Sequence, residues 1–467
     1  MARAPTTQRD GTPSQEPMTL SERRAALSLA TLFFFRMFGL FLILPVLALH
    51  TQHLAGATPF FIGVAMGVYG LTQALFQIPF GGLSDRYGRK PVIAAGLLIF
   101  GLGSVLCAVS GHVAGIIAGR ALQGAGAISA AVMALAADLT REEQRIKVMT
   151  VIGVTIGLAF AAAFVAGPAL DAVLGLHGLF WVAAGLALGG LLVLSLFVPE
   201  PTHSAFHREC ESQWGQVLGI LANRDLRRLN VGIGCLHFLL TASFVVLPVV
   251  LRDDLGLASP SHWRVYLPVF GLSIVLMVPA IRAAQRRGRD VLLGAVALLG
   301  VSELGLALGP GSGTGVFLML WGFFSGFNYL EASLPALVSQ MAPADRRGTA
   351  LGVYSMSQFL GTFAGGAIGG LLSGYAGATG VFLMCAALAL SWFVYSRGMV
   401  LPRPVRSHVV KVGRLTAAEA TALTVRLAAV AGVSEAVVIG EDGVAFLKVD
   451  QDTLDWQGLR DICELRG

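Results

Sequence analysis

The chain has 467 residues, of which 55% are apolar and 13% charged, and a net charge of +6, with a mean hydropathy of +0.73 and a pI near 9.3. A soluble chain carries roughly a quarter charged residues, so this composition excludes an ordinary soluble enzyme and points to an integral membrane protein. The basic residues sit in short loops between apolar spans, so membrane topology explains the high pI and no nucleic-acid partner is expected.

In chain order, residues 1–22 are polar, rich in Pro, Thr and Gln, and lack the apolar core of a cleaved signal peptide. They are expected to be a disordered tail. A helical span needs about 20 apolar residues. Twelve such runs follow, near 25–49, 59–82, 91–110, 113–137, 147–170, 177–198, 229–251, 264–284, 290–308, 315–339, 349–372 and 377–396. The connections after spans 2, 4, 8 and 10 read DRYGRK, REEQRIK, RRGRD and ADRRG, and the one after span 6 is a long polar stretch. Those after spans 1, 3, 5, 9 and 11 contain no Lys or Arg; only the seventh, with Arg252 and Arg264, departs from the alternation. The positive-inside rule therefore places both termini in the cytoplasm, with the chain in the inner (plasma) membrane.

The polar stretch 199–228 divides the spans into bundles over 23–198 and 229–398, and the halves echo each other. LFLILPVL (40–47) answers SFVVLPVV (243–250), and DRYGRK (85–90) answers QRRGRD (285–290). Repeated six-span halves with a site between them near the midplane are a recurring transporter plan. Residues 399–467 change to soluble composition. SHVVKVG alternates like a strand, TAAE (416–419) is a capping box opening a helix that stops at Gly432, and two further strands flank a turn at Asp442–Gly443. A last helix completes a β-α-β-β-α unit. The five cysteines are scattered without a Cys-x-x-Cys, so neither a disulfide framework nor a metal site follows.

One stretch concentrates charge beside a span: GGLSDRYGRK, with Gly81, Asp85, Arg86, Gly88, Arg89 and Lys90. Asp85 ends span 2, where helix carbonyls already present negative charge, so a carboxylate there needs compensation. The N-terminus of span 11 is a suitable partner, because free N–H groups attract anions. A cluster that only fixed topology would need neither the acid nor the glycine spacing.

This stretch resembles the loop 2–3 signature of the major facilitator superfamily, and RALQGAG (120–126) is similar to its span 4 signature. Gly167–Pro168 resembles the antiporter signature of drug–proton exchangers, although Ala163 replaces a glycine and Asp171–Ala172 stand where paired glycines are usual. RMFGLFLILPVL, ADLTREEQR and the α/β tail bring the chain near the YajR-type efflux proteins, whose ferredoxin-like domain has a final strand that this tail lacks. The resemblance implies an all-α fold of twelve membrane helices in two six-helix bundles plus a small cytosolic ferredoxin-like α/β domain. It also implies that Asp85 clamps the halves on the cytoplasmic side in the outward-open state, that Arg89 pairs with Asp138, and that Arg120 takes part in proton coupling.

Other residues stand out by place. Arg36, deep in span 1, must face the bundle interior. It is either a substrate contact lining the cavity with Gln123 or the structural partner of an acid such as Glu331. Glu331, well inside span 10, is the first choice for a proton carrier, since intramembrane acids commonly serve in proton relays. His237 in span 7 could titrate in the cavity, although a lone histidine there is more often structural. Asp171 and Glu303 are expected at the interfaces. The glycines of span 11 recur at a spacing that permits close helix packing.

Together these features predict a proton-coupled exporter of small, largely apolar compounds working by alternating access. Two alternatives stay open: a transporter-like sensor signalling through the tail, and a metabolite importer. The expected partners are a small-molecule substrate, protons and the lipid bilayer. No cofactor, metal or catalysis is expected, and a monomer is. The tail is expected to dock at the cytoplasmic face through acids such as Glu435, Glu441, Asp442, Asp450 and Asp452.

Overall fold

The computed structural model describes residues 17–200, 213–309, 312–343, 346–401, 405–413, 415–440, 443–450 and 454–464. In lipid every backbone polar group must be satisfied within its own segment, so the apolar runs become helices. Among the described residues, eight helices are long and apolar enough to cross a membrane. Three of these contain two spans each, joined at breaks at Gly175 (φ 61°), Arg287 (φ −134°, ψ 49°) and Gly377 (φ 62°). With Gly313–Met341, whose hydropathy is lowered by Asn328 and Glu331, the chain has the twelve expected spans.

Helix ends run further into polar sequence than hydropathy indicates. Span 1 begins at Leu20, where Thr19 and Glu22 form a capping box, and breaks between Phe41 and Leu44. Span 7 begins at Arg224, where the Asn223 side chain accepts from the N–H groups of Asp225 and Leu226. Such caps satisfy the otherwise orphaned N–H groups of a first turn, so helices extend beyond the bilayer.

The internal repeat is visible in contacts that close each bundle. Arg24 donates to the carbonyls of Leu196 and Phe197 at the end of span 6. Arg228 likewise donates to Gly398 O at the end of span 12. These residues mark one end of the helices, here called the basic face because it carries the loops DRYGRK and REEQRIK. The opposite end is the far face.

The bundles meet along spans 2 (Pro59–Tyr87) and 11 (in Arg347–Ser396). Two backbones touch there: a Cβ on Gly63 would lie 2.1 Å from Gly366 O, and one on Gly366 would lie 2.4 Å from Gly63 O. The approach continues through Gly67 against Phe363 and Gly70 against Phe359. Toward the basic face it ends, because nothing lies within 4 Å of a Cβ built on Gly82, Gly348 or Gly352. The bundles are therefore joined at the far face and parted at the basic face. Gly361, Gly365 and Gly369 pack instead against Gly234, Phe238 and Ala242 of span 7, so the glycine stripe of span 11 serves two neighbours.

A second compact unit comprises Arg282–Arg289 and Val400–Gly467. Its sheet has strands β1 (Val405–Lys411), β2 (Val433–Ile439) and β3 (Val444–Asp450) in the antiparallel order β1-β3-β2. The expected capping box of Thr416 and Glu419 opens the helix Ala417–Ala428, and Trp456–Glu464 is the last helix. Leu423, Leu427, Ala445, Leu447 and Val449 form its core. The first helix stops four residues before Gly432, which adopts φ 85° in the following turn. Asp442 of the expected turn, with Glu441 and Asp452, lies outside the described residues, as do residues 1–16 and 201–212.

Candidate functional site

At the basic face, Gly88 (φ 93°) turns the chain from span 2 into span 3, Arg89–Val109. Arg89 is the hub of this corner. Its Nε donates to Asp138 Oδ2 at 3.1 Å, and Nη1 donates to Ser84 Oγ at 2.8 Å and to Asp85 Oδ1. Lys90 Nζ lies 2.6 Å from Glu200, and Arg86 stacks on Tyr87 with Cζ 5.3 Å from the ring. Gly81 would bring a Cβ no nearer than 3.9 Å to Ala130. The Asp85 side chain is 60% exposed.

Inside the first bundle are two buried guanidinium groups. Arg36 is 2% exposed. It donates to Ser129 Oγ (2.9 Å), Gln73 Oε1 (2.8 Å), Tyr69 Oη (3.3 Å) and the main-chain oxygen of Gly126 (2.8 Å). Gly126 lies where span 4 breaks into Val113–Ala125 and Ser129–Asp138, so Arg36 satisfies a carbonyl that the helix has released. Arg120 is 3% exposed; its Nη1 donates to Gln123 Oε1 at 2.9 Å and its Cζ lies 5.3 Å from the Tyr69 ring. Gln123 is fully buried and donates to Ser104 Oγ at 2.8 Å. Of the two readings of Arg36, the pairing with an acid such as Glu331 is not found: its partners are neutral and lie in its own bundle. Nor do Arg36 and Gln123 line open space; both are sealed by neighbouring helices.

Glu331 is in the other bundle and has found His237. Its Oε2 lies 3.1 Å from His237 Nε2, and Gln358 Nε2 of span 11 lies 3.2 Å from Oε1 and 2.7 Å from the same imidazole nitrogen. The Glu331 side chain is 39% exposed and that of His237 11%. The histidine is therefore not a lone group, and the acid beside it is half open inside a membrane bundle. Gln358 carried no motif; its signal was a polar residue in mid-span, four residues before the Thr362–Gly366 packing surface.

Toward the far face the bundles are sealed. Gly167 allows span 5 to reach the broken end of span 1, because a Cβ there would lie 2.4 Å from Leu42 O; Pro168 follows inside the helix. One turn on, Asp171 accepts from Ser259 Oγ of the opposite bundle at 3.0 Å and lies 2.7 Å from His50 Nε2. Glu303, expected at an interface, is 0% exposed and accepts from Ser243 Oγ at 2.6 Å. Hydropathy placed it near a span end, but the helices around it extend past it and bury it.

The sequence profile of the Major Facilitator Superfamily matches residues 29–329 and 229–440. The chain belongs to the major facilitator superfamily. It is 45% identical over 435 residues to the inner membrane transport protein YajR of Escherichia coli (strain K12), covering 93% of this chain and 95% of that one. It is 25% identical over 344 residues to the multidrug resistance protein MdtH of Aeromonas hydrophila, covering 72% of this chain and 85% of that protein. The fold is shared with a bacterial homologue of the human lysosomal transporter Spinster, solved in an inward-facing, occupied conformation. That match has a TM-score of 0.66 at 15% identity and covers 81% of this chain and 97% of the other. The chain is thus a multi-pass membrane transporter of the YajR type.

Proposed function

We propose that the protein is a proton-coupled exporter of small, largely apolar compounds that works by alternating access, with its basic face and both termini in the cytoplasm. The observation that carries this reading is the His237–Glu331–Gln358 group: an acid and a histidine share hydrogen-bond contact within the membrane, with the acid half exposed. When Gln358 donates to His237 Nε2, that nitrogen is an acceptor and Glu331 faces it as the neutral acid. When Nε2 carries the proton, it donates to the carboxylate, which also accepts from the Gln358 amide. The two states differ only in where one proton sits, and loss of that proton leaves the carboxylate free to attract a cationic or hydrogen-bonding ligand.

In this reading the conformation is inward-open. Loading would occur from the cytoplasm, and rocking about the spans 2 and 11 contact would bring Asp85 to the N-terminus of span 11 as a clamp. A helix-end contact of about 0.3–1 kcal/mol, or about 2 when partly buried, is enough to bias such an equilibrium without locking it. Arg120 would modulate the site electrostatically, and the multidrug resistance relative supports export. The C-terminal unit would tune the balance of states without entering the transport step. The test is uptake by proteoliposomes of a panel of neutral, cationic and anionic apolar compounds, with and without an imposed pH gradient. Gradient-dependent accumulation of at least one class is expected. Uptake that ignores the gradient for every compound taken up would refute proton coupling.

A further inference from the structure

Below the polar rim, the far face is closed by aromatic rings that belong to opposite bundles. Phe164 of span 5 is fully buried and sits in a socket of four rings contributed by three spans of the other bundle. Its ring centroid is 4.9 Å from Phe244, 6.1 Å from Tyr266, 5.4 Å from Phe270 and 6.1 Å from Phe324. One turn earlier, Phe160 meets Phe270 at 5.6 Å and Phe327 at 5.8 Å across the same divide, and is backed by Phe41 of span 1 at 4.8 Å. These centroid separations fall in the range of attractive ring pairs. Every contact between span 5 and the socket must break if the bundles part at this face. No polar contact replaces them in the socket, where the buried Tyr266 Oη has no hydrogen-bond partner.

The second observation is where the socket ends. Phe327, stacked on Phe160, also presents its ring edge-to-face to His237 at 5.9 Å, and His237 Nε2 is 3.1 Å from Glu331. A continuous series of contacts runs from Glu331 through His237 and Phe327 to Phe160, the last step crossing from one bundle to the other. Tyr354 of span 11 is buried with its hydroxyl unpartnered. Cys235 lies two residues from His237 on span 7.

We infer that Phe164 and Phe160 are the gating residues of the far-face exit, and that Phe327 transmits the protonation state of the His237–Glu331 pair to them. This rests on the proposed proton coupling in its second half only. A repositioned His237 ring displaces Phe327, Phe327 releases Phe160, and Phe164 leaves its socket as the bundles part. The route explains how one proton at the His237–Glu331 pair can govern a seal at the far face, since packed cores switch between discrete arrangements.

The experiment measures the separation of spin labels at His53→Cys and Leu308→Cys, exposed far-face positions on opposite bundles. It uses the full chain with Cys210, Cys235 and Cys463 replaced by serine, leaving buried Cys107 and Cys385. Phe164→Ala should raise the ratio of far-face-open to closed protein at least about tenfold. Should Phe164→Ala fail to fold, Phe164→Leu serves in its place with a smaller shift in the same direction. A wild-type distance distribution in the folded variant overturns the gate. For transmission, the wild-type distribution should change with pH, and Phe327→Leu should abolish that change. If Glu331→Gln abolishes it while Phe327→Leu leaves it intact, the transmission route is wrong and the proton pair stands. If Glu331→Gln leaves it intact, the proton pair itself is wrong.

Discussion

Gly63→Ala is the smallest change that should trap this transporter on one side of its cycle. The added methyl would sit 2.1 Å from Gly366 O, 2.7 Å from Gly370 Cα and 2.9 Å from Gly370 N. All three are backbone atoms, so no rotamer change relieves the clash, and span 11 must retreat by more than about 1 Å to restore van der Waals contact. Overpacking of this kind costs about 1–3 kcal/mol, and each 1.4 kcal/mol shifts an equilibrium about tenfold. The penalty falls only on the state closed at the far face, so the open-to-closed ratio there should rise by roughly five- to a hundredfold. Spin labels at His53→Cys and Leu308→Cys should report the longer separation, and uphill transport should fall while the protein still inserts. Gly185→Ala, at an exposed glycine of span 6 with nothing within 4 Å of a built Cβ, is the control and should behave as wild type. A Gly63→Ala protein with normal distances and normal transport would refute the reasoning that these backbones must touch.

Asp85→Asn should leave the structure in its present state nearly as stable, since the 60% exposed pairing with Arg89 contributes under about 1 kcal/mol. Loss of the clamp should favour the basic-face-open state by a few-fold, read as faster cysteine labelling from that face and slower transport. Arg36→Gln should lower the melting temperature in detergent, because charged hydrogen bonds to Gln73, Ser129 and Gly126 O are worth about 1.5–3 kcal/mol each before compensation. Adding Glu331→Gln should not restore it; a rescue would revive an Arg36–Glu331 pair in another state. Truncation after about residue 400 should leave an inserted, active transporter with an altered rate or pH profile, and complete loss of transport by a folded truncation would make the C-terminal unit part of the machine.

The membrane plan was legible because lipid leaves few options: a run of about twenty apolar residues becomes a helix. The capping box at Thr416 was legible for a similar reason, since it is a local pattern four residues long. Side-chain partnerships inside the bundles were not. Arg36 is held by a tyrosine, a glutamine, a serine and a main-chain oxygen 33 to 93 positions away, none of them charged, so charge counting pointed instead to Glu331. His237 and Glu331 were each visible as costly intramembrane groups, but their meeting depends on how spans 7, 10 and 11 rotate about their axes. Glu303 was misjudged because hydropathy locates a span's end without telling which side of the helix is covered. The aromatic socket was hidden in plain apolar sequence, where one phenylalanine looks like another until the helices are packed.

The claim that Glu331 carries the coupled proton is tested most directly by comparing wild type and Glu331→Gln in proteoliposomes, using a compound that the wild type accumulates. The wild type should accumulate it under an imposed pH gradient and exchange it in the absence of one. Glu331→Gln should retain the exchange and lose the gradient-driven accumulation. Accumulation by Glu331→Gln at the wild-type rate would contradict the account.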